Sequence, residues 1–462
     1  MRVLSNYLER KDIHFSVISF IFGLLFMVAV PPFQVPDEGN HFLRSYQISQ
    51  GNFLSERRDK SCGGEVPVSL SITASKIAGN HVAFHPENKQ SVTDILGAFH
   101  IPLERDIKKY AAFSNTAIYS PVPYIPQVTG IVLGKIFDAP PAVLFYLGRV
   151  FNLIFSVFLI SYSIRIIPIF KNLMFLIALM PVSIHIFASL SPDAATISIS
   201  FLLTSYILRL ACDSEILFAE KQDVIFLMIA SALLASCKAA YFPVVFLCFM
   251  IPVRKFGNVT HYILFGLAIT VITLCCFFLW GAMAENLVVT HLYGGIPFGM
   301  AKLFIISHPV GYMEMVLRNL DIYLSFYIYS FIGVLGWLDT ELPVYFIVIY
   351  GITMMVTALM EGKKEIRLSL TERIIIGIIA ACCVLLIITS QYFIWTLETD
   401  TDIGMAQGRY FIPAAPLFFI PLLYNSRLSD IVSYKTMTEF TSFFVICSLI
   451  YTLFFVIQRY YL

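Results

Sequence analysis

What most constrains this chain is a series of long apolar runs without charge, recurring from one end of the sequence to the other. A helix needs about 20 apolar residues to cover roughly 30 Å of hydrocarbon, because each unpaired backbone group in lipid costs several kcal/mol. The first run, Phe15 to Pro31, follows Arg10 and Lys11 and lacks a small-x-small cleavage site. It reads as a retained signal anchor with a cytoplasmic N-terminus. Composition agrees: of 462 residues, 58% are hydrophobic and 13% charged, whereas a soluble domain is about 25% charged.

Further runs lie near 141–164, 172–190, 194–212, 223–238, 241–253, 261–281, 343–360, 373–395, 410–424 and 437–457. The stretches 117–137 and 320–337 are ambiguous, and the cytoplasmic bias of Lys and Arg decides them. With both interfacial or re-entrant, about eleven spans remain, within a range of roughly 10–13. Arg165 with Lys171, Arg254 with Lys255, Lys363 with Lys364, Arg367 and Arg373, and Arg427 with Lys435 then all face the cytoplasm. Making 117–137 alone a span would turn every one of those clusters outward.

The expected fold is an all-α, multi-pass protein of the plasma (inner) membrane. Residues 1–32 form the cytoplasmic N-terminus and first span, and 33–140 a large extracytoplasmic loop with juxtamembrane helices and a small fold of its own. Spans two to seven occupy 141–281, a second extracytoplasmic loop with a re-entrant or interfacial segment 282–342, and spans eight to eleven 343–462. A net charge of +1 gives no bulk field for nucleic acid or an acidic polymer. Cys62 is alone in the first outer loop, so no disulfide forms within it. The sequence has no Gly-rich phosphate loop, HExxH, paired CxxC or fixed-period repeat.

An ionisable group at membrane depth costs at least about 2.5 kcal/mol and tends to mark a pathway or site. On this topology such residues gather at the outer face: Asp37, Glu38, Asp193, Lys238, Asp339, Glu341, Glu398, Asp400, Asp402 and Arg409. In VPDEGNHFLRSYQ, a helix starting at Asp37 puts Asp37, His41 and Arg44 on one face. Asp37 is then either an N-cap at the start of a surface helix or a general base with a cation nearby.

In MAQGRYFIPAAPLF, Gln407, Gly408, Arg409 and Tyr410 open a span. Arg409 either snorkels to headgroups beside an aromatic belt or pairs with a lipid-linked phosphate, with Gly408 admitting backbone amides. Lys238, in SCKAAYFP with Tyr241, either snorkels or meets an anion. In FIGVLGWLDTELPVY, Trp337 with Asp339 and Glu341 is either an interfacial anchor before a solvated turn or a stacking surface with carboxylates for a pyranose.

VPDEGNHFLRSYQISQG, SPDA, GWLDTELP and QGRYFIP, in this order over nearly the whole chain, resemble the signatures of a bacterial family of uncharacterised polytopic membrane proteins. That family in turn resembles the GT-C superfamily of membrane glycosyltransferases, which use polyprenyl-phosphate-linked sugars. The resemblance places an acid after the first span at Asp37-Glu38, a P-x-Y-like start in SPVPYIP, and an acid after the third span at Asp193. It implies inverting transfer to a cell-envelope glycan or lipid-linked acceptor on the extracytoplasmic face. Asp37 and Glu38 are the implied catalytic acids. His41, Arg44, Asp193, Lys238 and Tyr241, with Trp337, Asp339, Gln407, Arg409 and Tyr410, are the implied substrate-binding residues. No cofactor and no nucleic acid is implied, and a metal is not expected, since Asp193 lacks the second acid that some members carry.

Other classes make different demands. A transporter or flippase places ionisable residues near the midplane and shows inverted repeats. A polysaccharide polymerase needs a large, basic late loop, whereas 282–342 holds Lys302 and Arg318 alone. A scaffold would tolerate Asp37→Asn.

Overall fold

A computed structural model describes residues 10–79, 81–289, 295–361, 368–397, 402–422 and 432–462. The expectations placed on Lys363, Lys364, Arg367, Glu398, Asp400 and Arg427 lie outside the described residues.

Helix α1 (Lys11–Ala29) leads into a layer of short elements. These are α2 (Glu38–Ser49), a sheet of β1 (Glu56–Arg58), β2 (Ser61–Pro67) and β3 (Lys108–Ala112), and helices α3 (Val68–Ala78), α4 (Val92–Ala98) and α5 (Ile125–Ile136). The sheet corrects the all-α expectation. Its first hairpin turns at Asp59, whose φ of +52° is the left-handed conformation that Asp tolerates in such turns. A Cβ on Gly63 would lie 1.9 Å from the Ala111 carbonyl oxygen, so β3 can approach β2 only where residue 63 has no side chain.

The chain continues through α6 (Pro141–Ile166), α7 (Lys171–Ala178), α8 (Pro181–Phe187), α9 (Asp193–Cys212), α10 (Lys221–Cys237) and α11 (Val259–Ala284). Then come α12 (Phe298–Ser307), α13 (Pro309–Gly333), the hairpin β4 (Val334–Leu335) and β5 (Thr340–Glu341), α14 (Val344–Met360), α15 (Leu370–Trp395) and α16 (Tyr434–Tyr461). Six of these, α1, α6, α9, α11, α15 and α16, are long and apolar enough to cross a membrane by length and composition.

The other expected spans take different forms. The 172–190 run divides at Pro181, because proline has no N–H to continue the helix. The runs 241–253 and 410–424 enclose Pro243 and Pro413 and wind as 3-10 helix over Ala239–Met250 and Gly408–Ala414. Helices α10 and α14 have 17 residues each. The stretch 320–337 covers the second half of α13, a continuous helix of 25 residues that starts at Pro309, and then enters the β4 hairpin. The stretch 117–137 is interrupted by a 3-10 turn at Val122–Tyr124 before α5.

Helix α9 is the most enclosed of the six, with 83% of its apolar window buried. Its Ser200 hydroxyl donates to the Pro413 carbonyl (2.6 Å), supplying a partner where irregular backbone lacks one. The helices carry polar ties at both ends. At one end Lys11 donates to Thr441 Oγ1 (2.6 Å) and the Thr438 carbonyl (3.0 Å). There Glu361 accepts the backbone N–H groups of Asn172 and Leu173 (both 2.8 Å), so a carboxylate faces the N-terminus of α7. The opposite end meets the short-element layer and carries most of the residues singled out above.

Candidate functional site

Asp37 and Glu38 are adjacent in sequence and differently placed. Glu38 is fully buried with Arg149 of α6, whose Nε and Nη2 donate to Oε1 (2.8 Å) and Oε2 (2.7 Å). Its oxygens also accept the N–H groups of Phe33 and Leu190 (both 3.0 Å). Arg149 spends its remaining donors on the carbonyls of Met27, Val30 and Pro31. Both charges are consumed in holding the exit of α1 against α6 and the loop before α9. Glu38 is therefore set as a structural anchor, away from its implied place among the catalytic acids. Arg149 is a residue that motif spacing does not single out, although its signal is in the sequence as one guanidinium within an otherwise uncharged run.

Asp37 stands at the N-cap position of α2 with φ +63°, but its side chain makes no capping hydrogen bond, which removes the N-cap reading. Its Oδ1 accepts from Asn115 Nδ2 (2.7 Å), and its Oδ2 lies 4.0 Å from Arg409 Nη2. Burial pushes its carboxyl above the usual carboxylate value of 3.8; Arg409, then Lys238, pull the other way. Arg409 Nε lies 3.8 Å from Asp193 Oδ2, and Lys238 binds Asp193 Oδ1 directly. The ammonium of Lys238 also faces the rings of Tyr119 (5.2 Å) and Tyr410 (4.9 Å). Two cations and two carboxylates from four separate segments thus meet at one end of the bundle. The Arg409 Nε is buried without a hydrogen-bond partner among the described residues, an unspent donor that suits an anionic acceptor.

The local folding explains this convergence. Asp193 opens α9, Lys238 follows the end of α10, and Arg409 sits in the 3-10 turn that Gly408 wedges against α13. A Cβ on Gly408 would fall 2.1 Å from the Phe331 nitrogen. The Gly408 N–H is bound to Ser330 Oγ (2.9 Å), so glycine serves packing here and offers no free amide to a phosphate. Tyr241 anchors the next residue, donating to the Tyr410 carbonyl (2.7 Å).

The remaining implied substrate-binding residues divide. His41 is buried and shares a hydrogen bond with Tyr124 (2.9 Å); burial drops its pKa to about 3, so the imidazole is neutral. Arg44 is turned away from Asp37, donating to Gln47, the Phe53 carbonyl (2.8 Å) and the Tyr119 carbonyl (3.0 Å). Asp339 is paired with Arg459 (2.6 Å), leaving a tie within the protein where a sugar contact was expected. Gln407 carries a buried Oε1 without a hydrogen-bond partner among the described residues. Trp337 donates its Nε1–H to the Phe33 carbonyl (3.0 Å) and borders a cavity of about 460 Å³ that Asp37 also lines. Among the described residues no group of three or more His, Cys, Asp or Glu could hold a metal ion.

Asn115, Tyr119 and Arg459 were not foreseen. Arg459 gives a weaker signal than Arg149, since it follows the apolar run in the last turn of α16, and Asn115 and Tyr119 are ordinary polar residues of a loop until the fold brings them to Asp37 and Lys238. Residues 20–418 match the model of a family described as "Predicted membrane protein (DUF2142)". The match covers most of the chain, which belongs to that family and is a multi-pass membrane protein. No curated protein and no solved structure matches it.

Proposed function

We propose that this member of the DUF2142 family is an inverting glycosyltransferase that moves a sugar from a polyprenyl-phosphate carrier to a cell-envelope glycan acceptor. The observation carrying the reading is the position of Asp37, between the Arg409–Lys238 cation pair and an open cavity. Asp37 takes the proton of an acceptor hydroxyl while that oxygen bonds to the anomeric carbon. The bond from that carbon to the phosphate oxygen breaks with inversion, and polyprenyl phosphate leaves with the electron pair. Arg409 and Lys238 oppose the charge growing on the leaving phosphate; oriented donors outside bulk water contribute about 3 kcal/mol each in comparable sites. Asp193 holds both cations in place, and Glu38 with Arg149 fixes the backbone that presents Asp37.

In this proposal the chain crosses the membrane about eleven times, with broken and 3-10 segments completing crossings beside the six long helices. The Asp37 end faces away from the cytoplasm. The helix ends at the opposite side carry Arg10, Lys11, Arg165, Lys171, Arg254, Lys255 and Arg373, the polarity expected of a cytoplasmic face. The test is transfer by the purified chain in lipid nanodiscs, followed by mass spectrometry with a panel of polyprenyl-phosphate sugars and glycan acceptors. Transfer that stops in Asp37→Asn supports the assignment. Transfer that persists in that variant refutes it.

A further inference from the structure

The surroundings of Asp37 are segregated by charge. On one side stand Arg409 and Lys238; on the other is the cavity of about 460 Å³, whose lining holds no lysine or arginine. We infer that this cavity binds an uncharged, polyhydroxylated ligand of roughly one or two pyranose rings. Its assignment to the acceptor, as opposed to the lipid-linked donor, rests on the glycosyltransferase reading.

Four observations carry the inference. The polar lining, Gln34, Asn40, Ser75, His81 and His85, mixes donors and acceptors, which suits hydroxyl groups, each both donor and acceptor. Gln34 is 2% exposed, and its Oε1 has no hydrogen-bond partner among the described residues, so an acceptor is buried there unspent. The Trp337 ring is fixed by its bond to Phe33 and packs against Phe84 at 5.0 Å, an aromatic platform for the apolar face of a sugar ring. The guanidinium behind this wall is balanced by Asp339 and held by its Nη groups, which also donate to the Val82 carbonyl (2.7 Å) and the Asn88 carbonyl (3.3 Å), so Arg459 does not line the cavity as a free cation.

Backbone strain is concentrated at the same place. Among the described residues eight non-glycine residues have left-handed φ. Phe33 (+68°), Asp37 (+63°) and His81 (+48°) line the cavity, while Phe84 (+64°) packs tilted against Trp337 and Leu338 (+63°) follows it. Such conformations are uncommon outside glycine and gather where a structure is held for binding or chemistry.

The experiment uses the full chain in nanodiscs. Neutral methyl glycosides and disaccharides of hexoses and N-acetylhexosamines are titrated against tryptophan emission, with their 6-phosphates and farnesyl phosphate as comparison probes. At least one neutral saccharide should change the emission, and the change should vanish in Trp337→Phe, which retains Trp280 and Trp395. Its 6-phosphate should bind at least tenfold more weakly. Ala74→Phe, filling the cavity from α3, should weaken the neutral saccharide at least tenfold and leave farnesyl phosphate binding unchanged. Should Ala74→Phe fail to fold, Ser75→Phe, at an exposed position of the same helix, gives the same reading.

Tighter binding of the phosphates, neutral binding indifferent to the filled cavity, or no response to any neutral saccharide at tens of millimolar would overturn the inference. The two readings part cleanly. Saccharide binding that is lost in Ala74→Phe, in a chain showing no transfer with any donor, keeps the cavity and removes the glycosyltransferase assignment. Transfer that survives in Ala74→Phe with unchanged acceptor KM does the reverse.

Discussion

Replacing Glu38 by Gln keeps the shape of the side chain and removes its charge, which leaves Arg149 as a buried, unbalanced cation. The carboxylate accepts four N–H groups, two from Arg149 and one each from Phe33 and Leu190. A glutamine can accept on one oxygen alone, and it turns an amide N–H toward donors. Breaking one partner of such a buried pair costs about 3–5 kcal/mol, much of it the uncompensated charge left behind. Glu38→Gln should therefore lower the folded-to-unfolded ratio by roughly two to four orders of magnitude. In Glu38→Gln/Arg149→Met the orphaned cation is gone, and a double-mutant cycle should return a coupling of about 1–3 kcal/mol. Unfolding by SDS titration in mixed micelles measures each variant. If Glu38→Gln is as stable as the parent within about 0.5 kcal/mol and yet as inactive as Asp37→Asn, the structural role of Glu38 is refuted.

The pH dependence follows from Asp37. Its carboxyl is held above 3.8 and must be ionised to act as a base, so kcat/KM should fall toward acid with an apparent pKa above 3.8. Arg409→Gln removes the largest influence holding that value down and should move the acid limb to still higher pH; an unmoved limb would contradict the pairing. For stability the sign is opposite to that of a salt-bridged acid. With the folded pKa raised, the contribution of Asp37 is present below its unfolded value and lost as pH rises through the folded one. Asp37→Asn should thus unfold at equal or higher SDS than the parent at neutral pH. Gly408→Ala drives a Cβ into the backbone of α13, and overpacking of this kind costs about 1–3 kcal/mol or more; reduced recovery of folded protein on size exclusion is expected. Asp193→Asn leaves Lys238 and Arg409 without their shared counter-ion and should raise the KM for the polyprenyl-phosphate donor more than that for the acceptor.

The membrane character of the chain was legible because apolar length is a local property, readable residue by residue. The breaks at Pro181, Pro243 and Pro413 were visible as prolines, but whether a proline ends a helix or winds it as 3-10 depends on the neighbours that satisfy the freed carbonyls, as Tyr241 does for the Tyr410 carbonyl that Pro413 leaves without an N–H. Asp37, Asp193, Lys238 and Arg409 could be singled out one by one through the cost of placing charge near lipid. Their pairing could not, because they are far apart in sequence and only packing brings α9, α10 and the 408–414 turn together. Adjacent Asp37 and Glu38 were indistinguishable as letters. One turn of helix start sends Glu38 inward to Arg149 and leaves Asp37 beside the cavity. The cavity itself was hidden, since α3 and residues 81–85 lie within the expected outer loop and carry no motif, and a sheet dependent on the missing side chain of Gly63 has no apolar period to announce it.

The measurement to make first compares the parent and Asp37→Asn in the native host, at matched membrane levels, by mass spectrometry of surface glycans and of the polyprenyl-phosphate pool. The expected result is loss of one sugar decoration together with accumulation of its polyprenyl-phosphate donor in the Asn variant. An unchanged glycan profile with the variant equally abundant would contradict the assignment of Asp37 as the base.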